Sequence, residues 1–149
     1  MAVMVMRASD ATEDLATMAD AAVLGTLMIP GRPENVRDAR SFAAATLGQL
    51  GAVTDTAVLL TSEIVTNAVR HSRSRGTGGT VELVILRVPG GVRIEVTDQG
   101  SDVSSPMVKR DPCASDGHGL FLVEAMAEQW AYSRRARGTT VWFRLADPQ

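Results

Sequence analysis

A carboxylate and an amide lie four residues apart within an apolar helical pattern. Glu63 and Asn67 belong to the stretch LLTSEIVTNAVRHS, and at about 100° per residue they project about 40° apart, one helical turn from each other. An amide oxygen can bind Mg²⁺, which prefers oxygen donors. A neighbouring carboxylate can accept a proton from an attacking hydroxyl or water. Taken alone, such a pair more often marks a solvated helix edge.

A second acid stands where a predicted strand ends. In Val96-Thr97-Asp98-Gln99-Gly100, the Asp98 carboxylate can accept a hydrogen bond from an exocyclic amine, such as that of adenine. Gly100 would let the backbone approach a ring closely because it has no Cβ. By itself, the same pattern also fits an ordinary turn after a strand.

Two glycines precede a third helical pattern. In Asp116-Gly117-His118-Gly119-Leu120, Gly117 and Gly119 would expose backbone N–H groups at a helix start, where the helix dipole also favours an anion such as phosphate. A single Gly-x-Gly is a weak signal, and a hinge before a helix explains it equally well.

Both helical and strand patterns surround these residues and must position them. Helical spacing is found over about 33–48, 54–71 and 119–127, and strand patterns over 27–29, 81–88, 92–97 and 139–145. The middle strands flank Pro89-Gly90-Gly91 and form a predicted hairpin, while 27–29 is a predicted edge strand. We therefore expect an α+β fold, a two-layer sandwich with a mixed, mostly antiparallel sheet covered on one face by helices.

The chain length and composition limit the possible classes of protein. The 149 residues fit one domain, which we place at 26–149, with 1–25 as an extension that is disordered or holds one short helix. The formal net charge of −2 argues against a nucleic-acid binder. Cys113 alone allows no internal disulfide, which suits the cytoplasm. No apolar run approaches the ~20 residues that span a bilayer, so we expect no membrane partner.

The order of the motifs along the chain is more specific than any one of them. ExxxN on a helix, D-x-G after a strand, G-x-G before a helix and Gly138-Thr139-Thr140 at a last strand together resemble the GHKL ATPase superfamily. The strings LLTSEIVTNAVRHS, GHGLFLVEAMAEQWAY and GTTVWFRL are most similar to its anti-sigma-factor Ser/Thr kinase branch. The resemblance covers about residues 27–146.

The resemblance implies a role for each motif. Asn67 would bind Mg²⁺ and Glu63 would act as general base, while Asp98 and Gly100 would hold adenine. One threonine of the last motif, by preference Thr140, would support the adenine site.

The resemblance also implies a phosphate site and an ATP lid. Gly117 and Gly119 would contact phosphates, and residues 101–116 would form the lid. Lys109 and Arg110 lie in that lid as phosphate ligands or as solvated charges. Asp102 departs from the pattern, because the family often has a second glycine there.

Three functions fit these motifs. The first is an ATP- and Mg²⁺-dependent regulatory kinase that phosphorylates an anti-anti-sigma (STAS) partner and sequesters a sigma factor, with a homodimer also implied by the resemblance. The second is a catalytically silent module that sequesters its partner, which Asp102 favours. The third is an ATP hydrolase of the gyrase kind, which would need coupling domains.

Overall fold

The computed structural model describes residues 2–5, 18–48, 51–71, 79–99, 118–135 and 138–147. The strands are β1 (Ala2–Val5), β2 (Ala22–Pro30), β3 (Thr80–Val88), β4 (Gly91–Asp98), β5 (Gln129–Arg135) and β6 (Gly138–Ala146). The helices are α1 (Val36–Leu47), α2 (Ala52–His71) and α3 (His118–Met126), and a 3₁₀ turn at Pro33–Asn35 precedes α1.

The six strands form one sheet in the order β1-β5-β6-β4-β3-β2. The five pairings between these strands are all antiparallel, where a mixed sheet was expected. The α+β class is confirmed, as is the edge position of the strand predicted at 27–29, which lies in β2. The hairpin β3–β4 turns at Gly90, whose φ of 75° suits a residue without Cβ.

One face of the sheet carries the core. Side chains at alternate positions of the strands point to this face and pack with the buried faces of α1 and α2. On α2 the buried side chains recur every three or four residues, at Thr54, Ala57, Leu60, Thr61, Ile64, Val65, Ala68 and Val69. Trp130 and Phe143 are the largest fully buried side chains, and each contributes ~1.5–3 kcal/mol through burial of its apolar surface.

The sequence-based prediction missed two strands, β1 and β5. β5 follows α3 after only Ala127 and Glu128, and its residues Trp130, Ala131 and Tyr132 are buried in succession. Without alternation between apolar and polar residues, the segment lacks the usual strand signal. β1 pairs with β5 at the edge of the sheet. The domain boundary at residue 25 stays a prediction, and β2 begins three residues before it.

Candidate functional site

Glu63 and Asn67 lie at the border of the apolar arc of α2. Both side chains are half-buried, whereas Leu60 and Ile64, which neighbour them on the helix surface, are buried. A carboxylate and an amide at such a border can reach a ligand held between helix and solvent while their backbone stays fixed by the core. The 20-residue length of α2 and its packing on β4 fix that backbone.

The connection that follows α2 leads to the end of the sheet where β4 stops. α2 ends at His71, and residues 72–78 connect it to β3, which begins at Thr80. In the β3–β4 pairing, Glu82 lies opposite Thr97, so the start of β3 lies beside the end of β4. α2 also packs on β4, so the helix that carries Asn67 and the strand that ends at Asp98 are neighbours in the fold.

Asp98 closes β4 on the face of the sheet that α2 covers. It lies two residues after the core residue Val96, so both side chains point to the same face. Its cross-strand neighbour on β6 is Thr139, which is 6% exposed. Asp98 and Thr139 therefore share a face beneath the helix layer.

Gly138 allows β6 to start against the backbone of Asp98. A Cβ placed at Gly138 would overlap with the carbonyl oxygen of Asp98. Any larger residue would push the first residues of β6 away from the end of β4. The glycine of the Gly-Thr-Thr motif thus sets the distance between Thr139 and Asp98.

Thr140 points to the opposite face of the sheet. Its hydroxyl oxygen lies 2.8 Å from that of Thr97, its cross-strand neighbour. The resemblance favoured Thr140 over Thr139 as the partner of the acid, but the register of the strands puts Thr139 on the same face as Asp98. Sequence spacing could not decide between the two, because side-chain direction reverses with each residue of a strand.

The start of α3 supplies backbone donors. α3 begins at His118, so the N–H of Gly119 belongs to the first turn, whose N–H groups have no partner within the helix. Gly117 and Gly100 lie outside the described residues, as do the predicted lid at 101–116 with Asp102, Lys109 and Arg110, and Cys113.

A magnesium ion fits these residues only together with a ligand that brings oxygens of its own. Within the described ranges, no group of three or more His, Cys, Asp or Glu side chains is placed to hold a metal. Mg²⁺ in nucleotide sites takes most of its ligands from phosphates and water. One amide oxygen, that of Asn67, is therefore a sufficient protein contribution for a nucleotide-bound Mg²⁺. Among the described helices none is long and apolar enough to cross a membrane.

Comparisons with known proteins give one consistent result. Residues 29–145 match the family described as histidine kinase-like ATPase domain. The anti-sigma F factor of Geobacillus stearothermophilus is 30% identical over 131 residues, which cover 80% of this chain and 90% of that protein. The anti-sigma F factor of Geobacillus kaustophilus is 29% identical over 129 residues, covering 79% and 88%.

A solved structure shares the fold. The crystal structure of the RsbU and RsbW domains of Rv1364c from Mycobacterium tuberculosis superposes with a TM-score of 0.60 at 23% identity. The match covers 82% of this chain but only 32% of that longer chain.

Proposed function

Because the chain belongs to the histidine kinase-like ATPase domain family, we propose that it binds ATP with Mg²⁺ at the sheet end where α2, β4 and β6 meet. We further propose that it acts as an anti-sigma-factor-like Ser/Thr kinase, which phosphorylates an anti-anti-sigma (STAS) partner and sequesters a sigma factor. Its similarity to two anti-sigma F factors over four fifths of the chain supports this specific activity.

The observation that carries the nucleotide site is the placement of Asp98. It lies on the face of the sheet that carries the core, across from the buried Thr139, and in our proposal Asn67 of α2 faces the same pocket. A carboxylate there can accept a hydrogen bond from the adenine amine, and the Thr139 hydroxyl can extend the hydrogen-bonding network. Gly100 would border the base, and Gly117 and Gly119 would donate N–H groups to the phosphates.

In the proposed reaction, Glu63 acts as the general base for the acceptor hydroxyl. Its carboxylate takes the proton of the Ser or Thr hydroxyl, and the freed oxygen forms a bond to the γ-phosphorus. The bond from that phosphorus to the β–γ bridging oxygen breaks, and its electron pair leaves with ADP. Asn67 and the phosphates would hold Mg²⁺, which would supply positive charge to offset the negative charge that spreads over the transferring group.

A labelled-phosphate assay tests the kinase. The chain is incubated with γ-labelled ATP and a STAS protein that carries a Ser or Thr, with and without chelation of Mg²⁺. Label on the STAS protein, lost on chelation, is expected. A tight complex without label would instead support the silent sequestering module, and free phosphate without a labelled protein would support a hydrolase.

A binding assay tests the proposed nucleotide site independently of the kinase activity. Calorimetric titration with Mg-ATP and Mg-ADP is expected to give saturable binding at one site per chain. If neither nucleotide binds, the site and the kinase are both refuted.

A further inference from the structure

β2 forms one edge of the sheet. It is the last strand in the order, and among the described strands β3 alone pairs with it. The far side of an edge strand presents N–H and C=O groups that a further strand can pair with. β1, at the opposite edge, has four residues, whereas β2 has nine. β2 is therefore the longer of the two edges that another chain could extend.

β2 lacks the features that usually protect such an edge. Native edge strands are typically short, or carry charged side chains or proline within the strand. Residues 21–31 contain no charged side chain, and Pro30 is the last residue of β2. The bulge between Val23 and Gly25 lies towards the other end of the strand, so residues 25–29 pair regularly with β3. The middle of the edge is free to accept a partner strand.

The side chains of β2 also favour contact with another protein surface. Of the large apolar side chains that are exposed in the described part of the chain, most belong to this strand: Val23 at 62%, Leu24 at 46% and Met28 at 58%. Their burial in an interface would stabilise an added strand through the hydrophobic effect.

The charges that flank β2 make the strand complementary to itself. Asp20 lies two residues before the strand and Arg32 two residues after it, and both are exposed. If two copies pair antiparallel about Thr26, Asp20 of each copy lies opposite Arg32 of the other. The uncharged residues 21–31 then lie against their own copy. A parallel pair in register would instead place like charges side by side.

We propose that β2 pairs antiparallel with β2 of a second copy of this chain and joins the two sheets into one. The two-fold axis passes through Thr26, perpendicular to the sheet, so that Leu24 of each copy lies opposite Met28 of the other. Both helix layers lie on the same side of the joined sheet, and α1, which packs on β2, lies near its copy. The edge of β2 is thus the surface for the homodimer that the family resemblance implies.

The pairing determines where the two candidate nucleotide sites lie. Pro30, at the end of β2, is opposite Thr80, and the start of β3 lies beside the end of β4, where Asp98 is found. Because the two copies of β2 run in opposite directions, the two sites lie at opposite ends of the joined sheet. The dimer does not depend on nucleotide binding or kinase activity.

Sedimentation equilibrium of the full chain, without nucleotide, measures the association. We expect a reversible dimer. Met28→Lys places a charge against the partner's Leu24 and should raise the dimer Kd by ~10-fold or more, because an unpaired charge in a buried apolar contact is costly. Met126→Lys makes the same change at an exposed methionine of α3, and it should leave the Kd unchanged.

Two charge reversals test the antiparallel register. Asp20→Arg alone sets two pairs of arginines against each other, and Arg32→Asp alone sets two pairs of acids against each other. Each variant should therefore dimerise ~4-fold more weakly, or worse. An equimolar mixture of the two variants restores an arginine–aspartate pair at both places. It should form a heterodimer, identified by its mass in native mass spectrometry, about as tightly as the unchanged chain dimerises.

Three results would overturn the proposal. The first is a chain that stays monomeric at its highest soluble concentration. The second is a dimer that Met28→Lys leaves intact, and the third is a mixture of the two reversed variants with no preference for the heterodimer. If Met28→Lys does not fold, as judged by circular dichroism, the charge reversals, which lie outside β2, decide alone.

Discussion

Replacing each threonine of the Gly-Thr-Thr motif by valine tests which face of β6 contributes to ATP binding. Thr139→Val and Thr140→Val are the same chemical change at adjacent positions, and valine keeps the β-branched shape that a strand favours. Thr139 is 6% exposed and lies opposite Asp98, whereas the Thr140 hydroxyl lies 2.8 Å from that of Thr97 on the other face. We expect Thr139→Val to weaken ATP binding and Thr140→Val to leave it unchanged.

The size of the effect follows from one hydrogen bond. A net contribution of ~0.5–1.5 kcal/mol per bond corresponds to an increase in Kd of about 2- to 13-fold for Thr139→Val. Thr140→Val loses its bond to Thr97 instead. That loss, of about 1 kcal/mol in folding free energy, should lower the Tm by ~2–4 °C.

Calorimetric titration with Mg-ATP, paired with a thermal melt of each variant, measures both quantities. Comparing the two variants removes any general effect of losing a hydroxyl group from β6. If Thr140→Val weakened ATP binding as much as Thr139→Val, or if only Thr140→Val did so, the assignment of faces to the adenine site would be refuted.

Three further substitutions test the other parts of the site. Glu63→Ala should keep the Kd for ATP within ~2-fold yet slow phosphoryl transfer to a STAS protein by ~10²–10⁴-fold, as expected for loss of a general base; normal transfer in the labelled-phosphate assay would remove that role. Asp98→Asn should raise the Kd by about 13- to 160-fold, because a hydrogen bond to a charged group contributes ~1.5–3 kcal/mol; an unchanged titration would exclude the adenine contact. Gly138→Ala should weaken ATP binding and destabilise the fold by ~1–3 kcal/mol, since its Cβ overlaps with the Asp98 carbonyl. Gly48→Ala is the control, because Gly48 also has a positive φ but has no atom near its Cβ; it should lower the Tm and leave binding intact, and equal binding by both variants would contradict the close-approach argument.

The parts of the fold with strong local signals could be predicted from the sequence. The family resemblance, including its anti-sigma branch, is confirmed. The helix predicted over 54–71 is α2 and the predicted hairpin is β3–β4, because their apolar residues repeat with the period of a helix or of a strand. β5 was missed because tertiary packing buries Trp130, Ala131 and Tyr132 on both of its faces. That burial depends on residues distant in sequence, which no local pattern shows.

In the candidate site, too, one feature could not be predicted from local sequence patterns. Motif spacing indicated that an acid, an amide and a Gly-Thr-Thr turn belong together, and the structure puts the end of β4 beside the start of β6. The face that each threonine occupies depends on the register between β4 and β6, and a shift of one residue would exchange Thr139 and Thr140. That register is fixed where Gly138 lies against the carbonyl of Asp98. The choice between two neighbouring hydroxyls thus depends on a contact between residues 40 positions apart in the chain, so only a structure could make it.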